Sequence, residues 1–328
     1  MTFQDLRRNE KAMTAKELHD RQKWSLEQKI DHSLGVIDQF VSKTDGKVYL
    51  AFSGGKDSTV LMHLCEIIKK DIPCVFVNTG CEYPDIIQFV REMKDEGHNV
   101  IELRPKMTPR QVWEKYGFPL VSKEVAEGIH AVRINPNSKK AQNVLGITNS
   151  KSQFVLRNKW RYLIDEIYDT SNMCCQKLKK DPSHKFGKET GLYPIIGIMA
   201  SESRLREKTY IRRGGCNVFG TEQSSHPLSI WTEDDIWHFI SKHNIRISEI
   251  YRKGAVRTGC SACGFGCQFK QDNRLRLLYN LYPKYYNMVM NFKNNGQTYR
   301  YALRRMLEVN GLFLPDETPQ LELQLFDK

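Results

Sequence analysis

The chain has 328 residues, and its 50 Lys and Arg against 38 Asp and Glu give a formal net charge of +12. This length suits two domains, and a composition of 40% hydrophobic and 10% aromatic residues argues against a disordered chain. No apolar run is long enough to span a membrane, and the first thirty residues contain no signal-peptide core. We therefore expect a soluble, cytoplasmic protein without a membrane partner.

The chain begins with helical patterns and then alternates strands with helices. Residues 14–41 carry apolar positions at helical spacing, which predicts one or two amphipathic helices. Short apolar runs then predict strands, and helical patterns follow the first two of them. The strands are predicted at 47–52, 74–78, 99–103 and 193–198, and the helices at 58–69 and 84–93.

Alternating strands and helices predict right-handed βαβ units, and therefore an α/β fold with a doubly wound, mostly parallel sheet. Ligands of such sheets bind beyond the carboxyl ends of the strands, where Ser53-Gly54-Gly55 and Asn78-Thr79-Gly80 fall. From Asn135 the sequence becomes polar and basic. We predict N-terminal helices over 1–46, a nucleotide-binding domain over 47–250 with an insertion near 135–192, and a basic, helical, cysteine-containing region over 251–328.

The loop after the first predicted strand has the composition of a phosphate site. Its glycines allow backbone N–H groups to face an anion, and the next helix adds its positive N-terminus. Lys56 supplies a point charge, and Asp57 is a candidate Mg²⁺ ligand. Because Asp57 stands where a Walker A sequence requires Ser or Thr, the loop is of another type. A plain Gly-Gly turn is the alternative to a phosphate-binding loop formed by Ser53, Gly54, Gly55, Lys56, Asp57, Ser58 and Thr59.

This loop resembles the pyrophosphate-binding loop of the N-type ATP pyrophosphatases. Further segments narrow the resemblance to the phosphoadenosine phosphosulfate (PAPS) reductase family and follow in that family's order. They are 77–84, 117–119, 197–204, His226-Pro-Leu228 with Trp231, and 258–260. The resemblance covers roughly residues 47–267 and implies an adenine nucleotide alpha hydrolase-like fold that binds ATP. Besides the loop, we expect nucleotide contacts from Asn78, Thr79, Gly80, Gly197, Glu202 and Arg204, with Lys56, Asp57 and Ser58 as the catalytic residues.

Three features separate the chain from the sulfonucleotide reductases that this resemblance includes. Met199 stands where the family usually has Arg, which puts one phosphate or sulfate contact in doubt. The substrate of the reductases has no pyrophosphate, and their loop usually departs from the Ser-Gly-Gly-x-Asp-Ser pattern that is intact here. They also carry a C-terminal cysteine that attacks the sulfate sulfur, whereas no cysteine follows Cys267 in this sequence.

Five of the nine cysteines form two groups that suggest metal chemistry. Four soft thiolates suit an iron–sulfur cluster or zinc, and the nearby lysines would favour an anionic cluster. The pattern is similar to the adenylylsulfate branch of the family, in which such residues bind a [4Fe–4S] cluster. This similarity implies Cys174, Cys175, Cys260 and Cys263 as ligands, with Cys267 as an alternative ligand or a free thiol. A zinc site and packed, unliganded thiols remain alternatives, and Cys65, Cys74 and Cys81 are expected to be buried small side chains.

The stretch from Tyr251 to Leu307 is basic and rich in tyrosine, and its only acidic residue is Asp272. Cations that displace phosphate counterions and rings that accept bases are typical of nucleic-acid surfaces. A solvated basic helix face is the alternative. The predicted nucleic-acid contacts are Arg252, Lys253, Arg257, Lys270, Arg274 and Arg276.

Together these patterns favour an ATP-dependent enzyme that adenylates a nucleic acid, either DNA or tRNA, with release of pyrophosphate. Sulfur from a donor protein such as a cysteine desulfurase would then displace AMP, as the resemblance to DNA phosphorothioation enzymes implies. ATP, Mg²⁺ and a [4Fe–4S] cluster are the expected cofactors. Two alternatives are an adenylylsulfate or PAPS reductase that uses another protein's thiol, and a non-catalytic nucleotide- or DNA-binding partner.

Overall fold

The computed structural model describes residues 14–148, 154–220 and 222–317. The predicted segments at 1–46, 135–192 and 251–328 therefore lie partly outside the described residues. So do the first thirteen of the thirty residues in which we expect no signal peptide. The helices, in chain order, are α1 Ala15–Gln22, α2 Leu26–Lys43, α3 Lys56–Ile68, α4 Pro84–Asp95, α5 Pro109–Tyr116, α6 Lys123–Ile134, α7 Lys139–Leu145, α8 Met173–Cys175, α9 Asp181–Thr190, α10 Arg204–Arg213, α11 Glu233–Lys242, α12 Arg274–Leu281, α13 Pro283–Met290 and α14 Tyr299–Glu308. The strands are β1 Val48–Phe52, β2 Cys74–Val77, β3 Val100–Leu103, β4 Leu120–Val121, β5 Tyr193–Ile196, β6 Asn217–Val218, β7 Ser224–Ser225, β8 Gly264–Phe265, β9 Lys293–Asn294 and β10 Gln297–Thr298.

The chain divides into two compact units. Among the described residues, the first unit contains the chain up to Val77, Pro84–Leu103 and Ser183–Glu249. The second contains Asn78–Tyr83, Arg104–Pro182 and the chain from Ile250 onward. The N-terminal helices thus group with the six-stranded sheet, and most of the predicted insertion groups with the C-terminal region.

The first unit is built on a sheet with the strand order β3-β2-β1-β5-β7-β6. All neighbouring strands are parallel except β6 and β7, which pair antiparallel. β1 lies at the centre, with Leu50 opposite Cys74 on one side and Ile195 on the other. Side chains of β1 are buried on both faces of the sheet, as expected for a central parallel strand. The predicted α/β fold with a mostly parallel sheet is confirmed.

Buried polar contacts hold α2 against α11 and the loop before it. A capping box between Ser25 and Gln28 begins α2. Four residues into the helix, the buried Lys29 Nζ lies 2.6 Å from Asp235 Oδ2. Trp231 Nε1 donates to Ser33 Oγ at 2.9 Å. These contacts fix the start of α11, which contributes to the site described below.

The second unit has an aromatic core and two small strand pairs. Trp113 and Phe118 both pack on Tyr299, with ring centroids 4.5 and 5.1 Å away. β4 pairs parallel with β8, so that Leu120 lies opposite Gly264, and β9 pairs antiparallel with β10. The β4–β8 pairing holds the cysteine-containing turn that follows residue 260. No helix among the described residues is both long enough and apolar enough to cross a membrane.

Gly117 has a φ of +93° and no room for a side chain, so any substitution there should lower the stability of the protein. A Cβ atom there would lie 2.3 Å from the Asp169 carbonyl group. We expect Gly117→Ala to lower the free energy of unfolding by about 2 kcal/mol or more, through backbone strain and overpacking. Gly296→Ala is the matched control, because Gly296 has a φ of +85° with nothing within 4 Å of the added atom. Equal losses in denaturant melts would show that the close packing at Gly117 is unimportant.

The buried side chain of His226 should make the stability of the protein depend on pH. Its Nε2 accepts a hydrogen bond from Arg213 Nη1 at 2.7 Å. Burial, and then the charges of Arg213 and Arg206, lower the pKa of His226 to about 4. Between pH 6.5 and pH 4, His226 is therefore protonated in the unfolded chain but neutral in the folded chain. The free energy of unfolding consequently falls as the pH drops through this range.

We expect His226→Gln to reduce the loss of stability between pH 7.5 and pH 5 by about 2 kcal/mol, because glutamine keeps an acceptor but does not titrate. Denaturant melts at the two pH values measure this loss. His184→Gln, at an exposed position, should leave the pH dependence unchanged. A His226→Gln protein with the full pH dependence would contradict the assignment.

Candidate active site and cysteine cluster

The phosphate loop begins where β1 ends at Phe52. Gly54 has a φ of +69°, and a Cβ atom there would lie 2.9 Å from Val90 Cγ2, so both conformation and space require glycine. Gly55 is the N-cap residue of α3 and makes no side-chain capping bond. A helix N-terminus without a capping side chain, at the carboxyl edge of a parallel sheet, is suited to bind an anion.

The loop hydroxyls are bonded mainly within the loop. Ser53 N donates to Ser58 Oγ at 3.2 Å, and the two serine oxygens lie 3.1 Å apart. The hydroxyls of Ser58 and Thr59 both donate to the carbonyl oxygen of Gly55, at 2.9 and 3.1 Å. Ser58 and Thr59 therefore hold the shape of the loop in this structure.

Lys56 is buried, with 5% of its surface exposed, and acidic groups hold its ammonium group. Its Nζ lies 3.1 Å from Asp57 Oδ1 and 3.3 Å from Glu233 Oε1. It also lies 5.7 Å from the centroid of the Trp237 ring. The two carboxylate contacts hold the Lys56 ammonium group between the first turns of α3 and α11. Glu233 and Trp237, both on α11, were not predicted, because no sequence spacing relates that helix to the loop.

The end of β5 lies next to the start of α3. A Cβ atom on Gly197 would lie 3.4 Å from the carbonyl oxygen of Asp57, which is an ordinary van der Waals contact, so the two segments are neighbours although the contact does not require glycine. Glu202 accepts from the backbone N–H of Met199 at 3.2 Å and pairs with Arg206. Arg204 is exposed in the first turn of α10. The structure thus brings Gly197 to the loop and gives Glu202 a capping role.

The predicted contacts Asn78, Thr79 and Gly80 belong to the second unit, where they form a closed turn. Asn78 Oδ1 accepts from Gly80 N at 3.2 Å. The hydroxyl of Thr79 donates to Glu82 Oε1 at 2.7 Å, and its N–H donates to Oε2 at 3.0 Å. Cys81 N donates to Thr79 Oγ1 at 3.1 Å. These bonds link the predicted nucleotide residues to a cysteine that follows them.

The four cysteines that were predicted as ligands lie in one neighbourhood. A hydrogen bond from Cys174, its neighbour in sequence, lowers the pKa of Cys175 to about 7. Cys260 interacts electrostatically with both members of the pair, and also with Cys263. Burial raises the pKa of Cys263 to about 11. The two cysteine segments, distant in sequence, are thus close enough to interact electrostatically, and their role as ligands stays a prediction.

Cys81 is a further thiol of the cluster that sequence reasoning missed. Its side chain donates to the sulfur of Cys260, and this bond is the main cause that places the pKa of Cys260 well below its ordinary value. Lys179 and Thr79 also hydrogen-bond to that sulfur. Ser261 fixes the backbone of Cys81, because its N–H and hydroxyl donate to the Cys81 carbonyl oxygen at 2.7 and 2.9 Å. The buried position of Cys81 was predicted, but its cysteine partner was not.

Cys267 and Arg274 lie at the edge of this cluster. Cys267 Sγ donates to the carbonyl oxygen of Cys263 at 3.1 Å. Arg274 Nη2 lies 3.9 Å from the same Cys267 sulfur. Arg274 also binds Asp272 at 2.7 Å and is only 2% exposed. The prediction that Arg274 contacts nucleic acid is therefore wrong, because its guanidinium group is buried and paired with Asp272 and is not exposed at the surface. Arg252, Lys253, Arg257, Lys270 and Arg276 are all exposed.

The donor set of the cluster fits a thiolate-bound metal centre. All the cysteines named here are free of disulfide bonds, and soft sulfur ligands next to cations suit an anionic iron–sulfur cluster. Within the ranges that the structure describes, no three Cys, His, Asp or Glu side chains are already arranged to hold a metal ion. The residue types, and not their arrangement in this structure, are what suit such a centre.

Comparison with known proteins shows which family the chain is related to. Residues 47–264 match the family model of the phosphoadenosine phosphosulfate reductase domain. The chain is 26% identical to an uncharacterized protein of Methanocaldococcus jannaschii over 78% of this chain and 50% of that protein. A second uncharacterized protein of that organism matches over 39% of its length, so the chain spans half or less of these two relatives.

Proteins with named activities also match. Adenosine 5'-phosphosulfate reductase 2 of Bacillus subtilis is 21% identical over 73% of this chain and 86% of its own length. The solved PAPS reductase of Candida auris aligns with 76% of this chain and 97% of its own, at 12% identity and a TM-score of 0.42. Because the family model covers most of the chain, from the first strand of the sheet to the cysteine-containing turn, the protein belongs to the phosphoadenosine phosphosulfate reductase domain family.

Proposed function

We propose that this protein is an ATP pyrophosphatase that adenylates a nucleic-acid acceptor and prepares it for sulfur transfer. The observation that carries the proposal is the start of α3, where Gly55 leaves the helix without a side-chain cap and the buried Lys56 supplies a positive charge. Amide groups and a lysine at a helix N-terminus suit the β- and γ-phosphates of ATP.

The proposed reaction has three steps. An acceptor oxygen attacks the α-phosphorus of ATP, the bond from that phosphorus to the bridging oxygen breaks, and pyrophosphate leaves. The terminal sulfur of a persulfide on a donor protein, such as a cysteine desulfurase, then attacks the activated atom and AMP leaves. A second thiol attacks the donor sulfur of the resulting S–S bond, which releases the sulfur-containing product and leaves a disulfide between that thiol and the donor. Lys56 and the loop amides stabilise the charge that develops on the leaving pyrophosphate.

Asp57 is the residue that we assign to Mg²⁺. Its carboxylate is 29% exposed and lies next to the Lys56 ammonium group, so it can reach a hydrated ion that also binds phosphate oxygens. When bound, Mg²⁺ would neutralise phosphate charge. Glu202 Oε1 is bound by both the Met199 N–H and Arg206, which makes that carboxylate a poorer candidate.

The thiols support an iron–sulfur cofactor. Cys174, Cys175, Cys260 and Cys263 would hold a [4Fe–4S] cluster, which supplies bound iron and sulfide in a polar, buried setting. Zinc bound by the same thiols is the alternative cofactor. Cys267 is bonded to the Cys263 carbonyl oxygen in this structure, so it is the better candidate for a thiol outside the ligand set.

A sulfonucleotide reductase is the second candidate, and the named Bacillus relative favours it. Such an enzyme would need a nucleophilic thiol from another protein. The two functions differ in their products: the first releases pyrophosphate from ATP, and the second releases sulfite from adenylylsulfate or PAPS. Sulfite formation without pyrophosphate would overturn our choice.

We expect Lys56→Ala to lower the rate of pyrophosphate release from Mg·ATP by about 100-fold or more, because the charge on the leaving group loses its fixed partner. A coupled phosphate assay after pyrophosphatase treatment measures this rate, with DNA or tRNA as the acceptor.

Lys70→Ala is the matched control, since Lys70 is exposed beyond the C-terminal end of the same helix, and it should leave the rate unchanged. If Lys56→Ala retained the wild-type rate, the loop would not perform the chemistry. A wild-type protein that binds nucleotide without turnover would instead indicate a non-catalytic partner.

We expect Cys263→Ala to lose most of the iron and acid-labile sulfide of the anaerobically purified protein, because three thiols then remain for a four-iron centre. Metal analysis and the visible iron–thiolate absorption band measure the loss. Cys65→Ala, which removes a buried thiol of the first unit, should keep both. Zinc without sulfide in the wild type would exclude the cluster.

A further inference from the structure

The surface formed by Arg252–Arg257 and Phe269–Arg276, which we call the basic loop surface, has almost no negative charge. Its one acidic residue, Asp272, is buried in the ion pair with Arg274. Exposed basic side chains occupy both segments. Arg257 in the first segment and Lys270 in the second are exposed cations, and an exposed cation in each of two adjoining segments suits a polyanion.

An aromatic ring is exposed on this surface. Phe269 is 55% exposed, and the nearby Val256 is 52% exposed. The backbone of Phe269 is fixed by two hydrogen bonds. Its N–H donates to the Gly266 carbonyl oxygen, and its carbonyl oxygen accepts from the N–H of Asp272, both at 3.0 Å. The backbone that carries the ring is thus fixed by two consecutive tight turns, so the ring is presented from an ordered segment.

The two segments are joined to each other and to the cysteine-containing turn. Asn273 Nδ2 donates to the Gly254 carbonyl oxygen at 2.7 Å. Arg257 Nη1 lies 3.9 Å from the position that a Cβ atom on Gly266 would occupy. Gly266 separates β8 from Cys267, so the cation and the exposed ring both lie beside the cysteine-containing turn.

Exposed rings and exposed cations favour different partners when they occur alone. A ring alone would suit an apolar protein surface, and cations alone would suit the outside of a duplex, whose bases are already stacked on each other. A ring among cations suits an unpaired nucleotide, whose base can stack while its phosphates meet the positive charges.

We propose that the basic loop surface binds single-stranded nucleic acid, with one base stacked on Phe269 and the flanking phosphates next to Arg257 and Lys270. This inference rests on the proposed function, in that it names the form of the acceptor. It places an unpaired nucleotide beside Cys263 and Cys267, where sulfur chemistry at the cluster would need it.

The test is the affinity of the full chain for fluorescent 12-nucleotide single strands of DNA and RNA, and for a DNA duplex of that length, by anisotropy at two salt concentrations. We expect single strands to bind more tightly than the duplex. Phe269→Ala should weaken single-strand binding by about tenfold, and Phe269→Trp should restore it. The DNA and RNA arms decide which strand is preferred.

The control is Phe313→Ala, which removes another exposed ring of the same unit, 49% exposed, and should leave the affinity unchanged. Arg257→Ala with Lys270→Ala should reduce the salt dependence of binding without changing the preference for single strands. Phe269→Ala with wild-type affinity, a preference for duplex, or no binding by the wild type would each overturn the inference. Pyrophosphate release from ATP is measured separately. Binding that depends on Phe269, in a protein that does not turn over ATP, would contradict the proposed function but would support the inference about the basic loop surface.

Discussion

The electrostatic environment at the start of α3 is the constraint on which the rest of the proposed chemistry depends. β1 delivers the chain to the edge of the sheet, and the positive φ of Gly54 turns it into the helix. Lys56 is then buried within 3.3 Å of Glu233. Burying an ammonium group is costly unless it is paired, so the acidic residue on α11 makes this cation possible. The contacts of α2 with α11 therefore matter to the phosphate site although they do not touch it.

Much of the first unit could be predicted because its signals are local. Apolar runs bounded by glycine located β1, β2, β3 and β5 to within two residues at each end. β6 and β7 were missed, because two-residue strands carry no periodicity. The loop from Ser53 to Thr59 was predicted from its residue types. Glu233 and Trp237 were not, because their positions depend on how α11 packs and not on any spacing to the loop.

The second unit was harder to predict because its contacts join distant segments. Cys81 follows β2 and looked like an ordinary buried thiol, yet its carbonyl oxygen is bound by Ser261. Arg274 looked like one more surface cation among many, yet it forms a buried ion pair with Asp272. In both cases the residue type was read correctly as buried thiol or cation, and the tertiary partner decided what the residue does.

The pairing of β4 with β8 has a consequence for the order in which the protein is assembled. Leu120 and Gly264 lie opposite each other, and Gly266 N donates to the Val121 carbonyl oxygen at 2.8 Å. Contacts of such long sequence separation form late, after the loop between them has closed. The thiols of Cys174 and Cys263 therefore meet only once most of the chain has been synthesised and folded. A metal centre held by these thiols would therefore be completed only after the second unit has folded, so its assembly would follow folding.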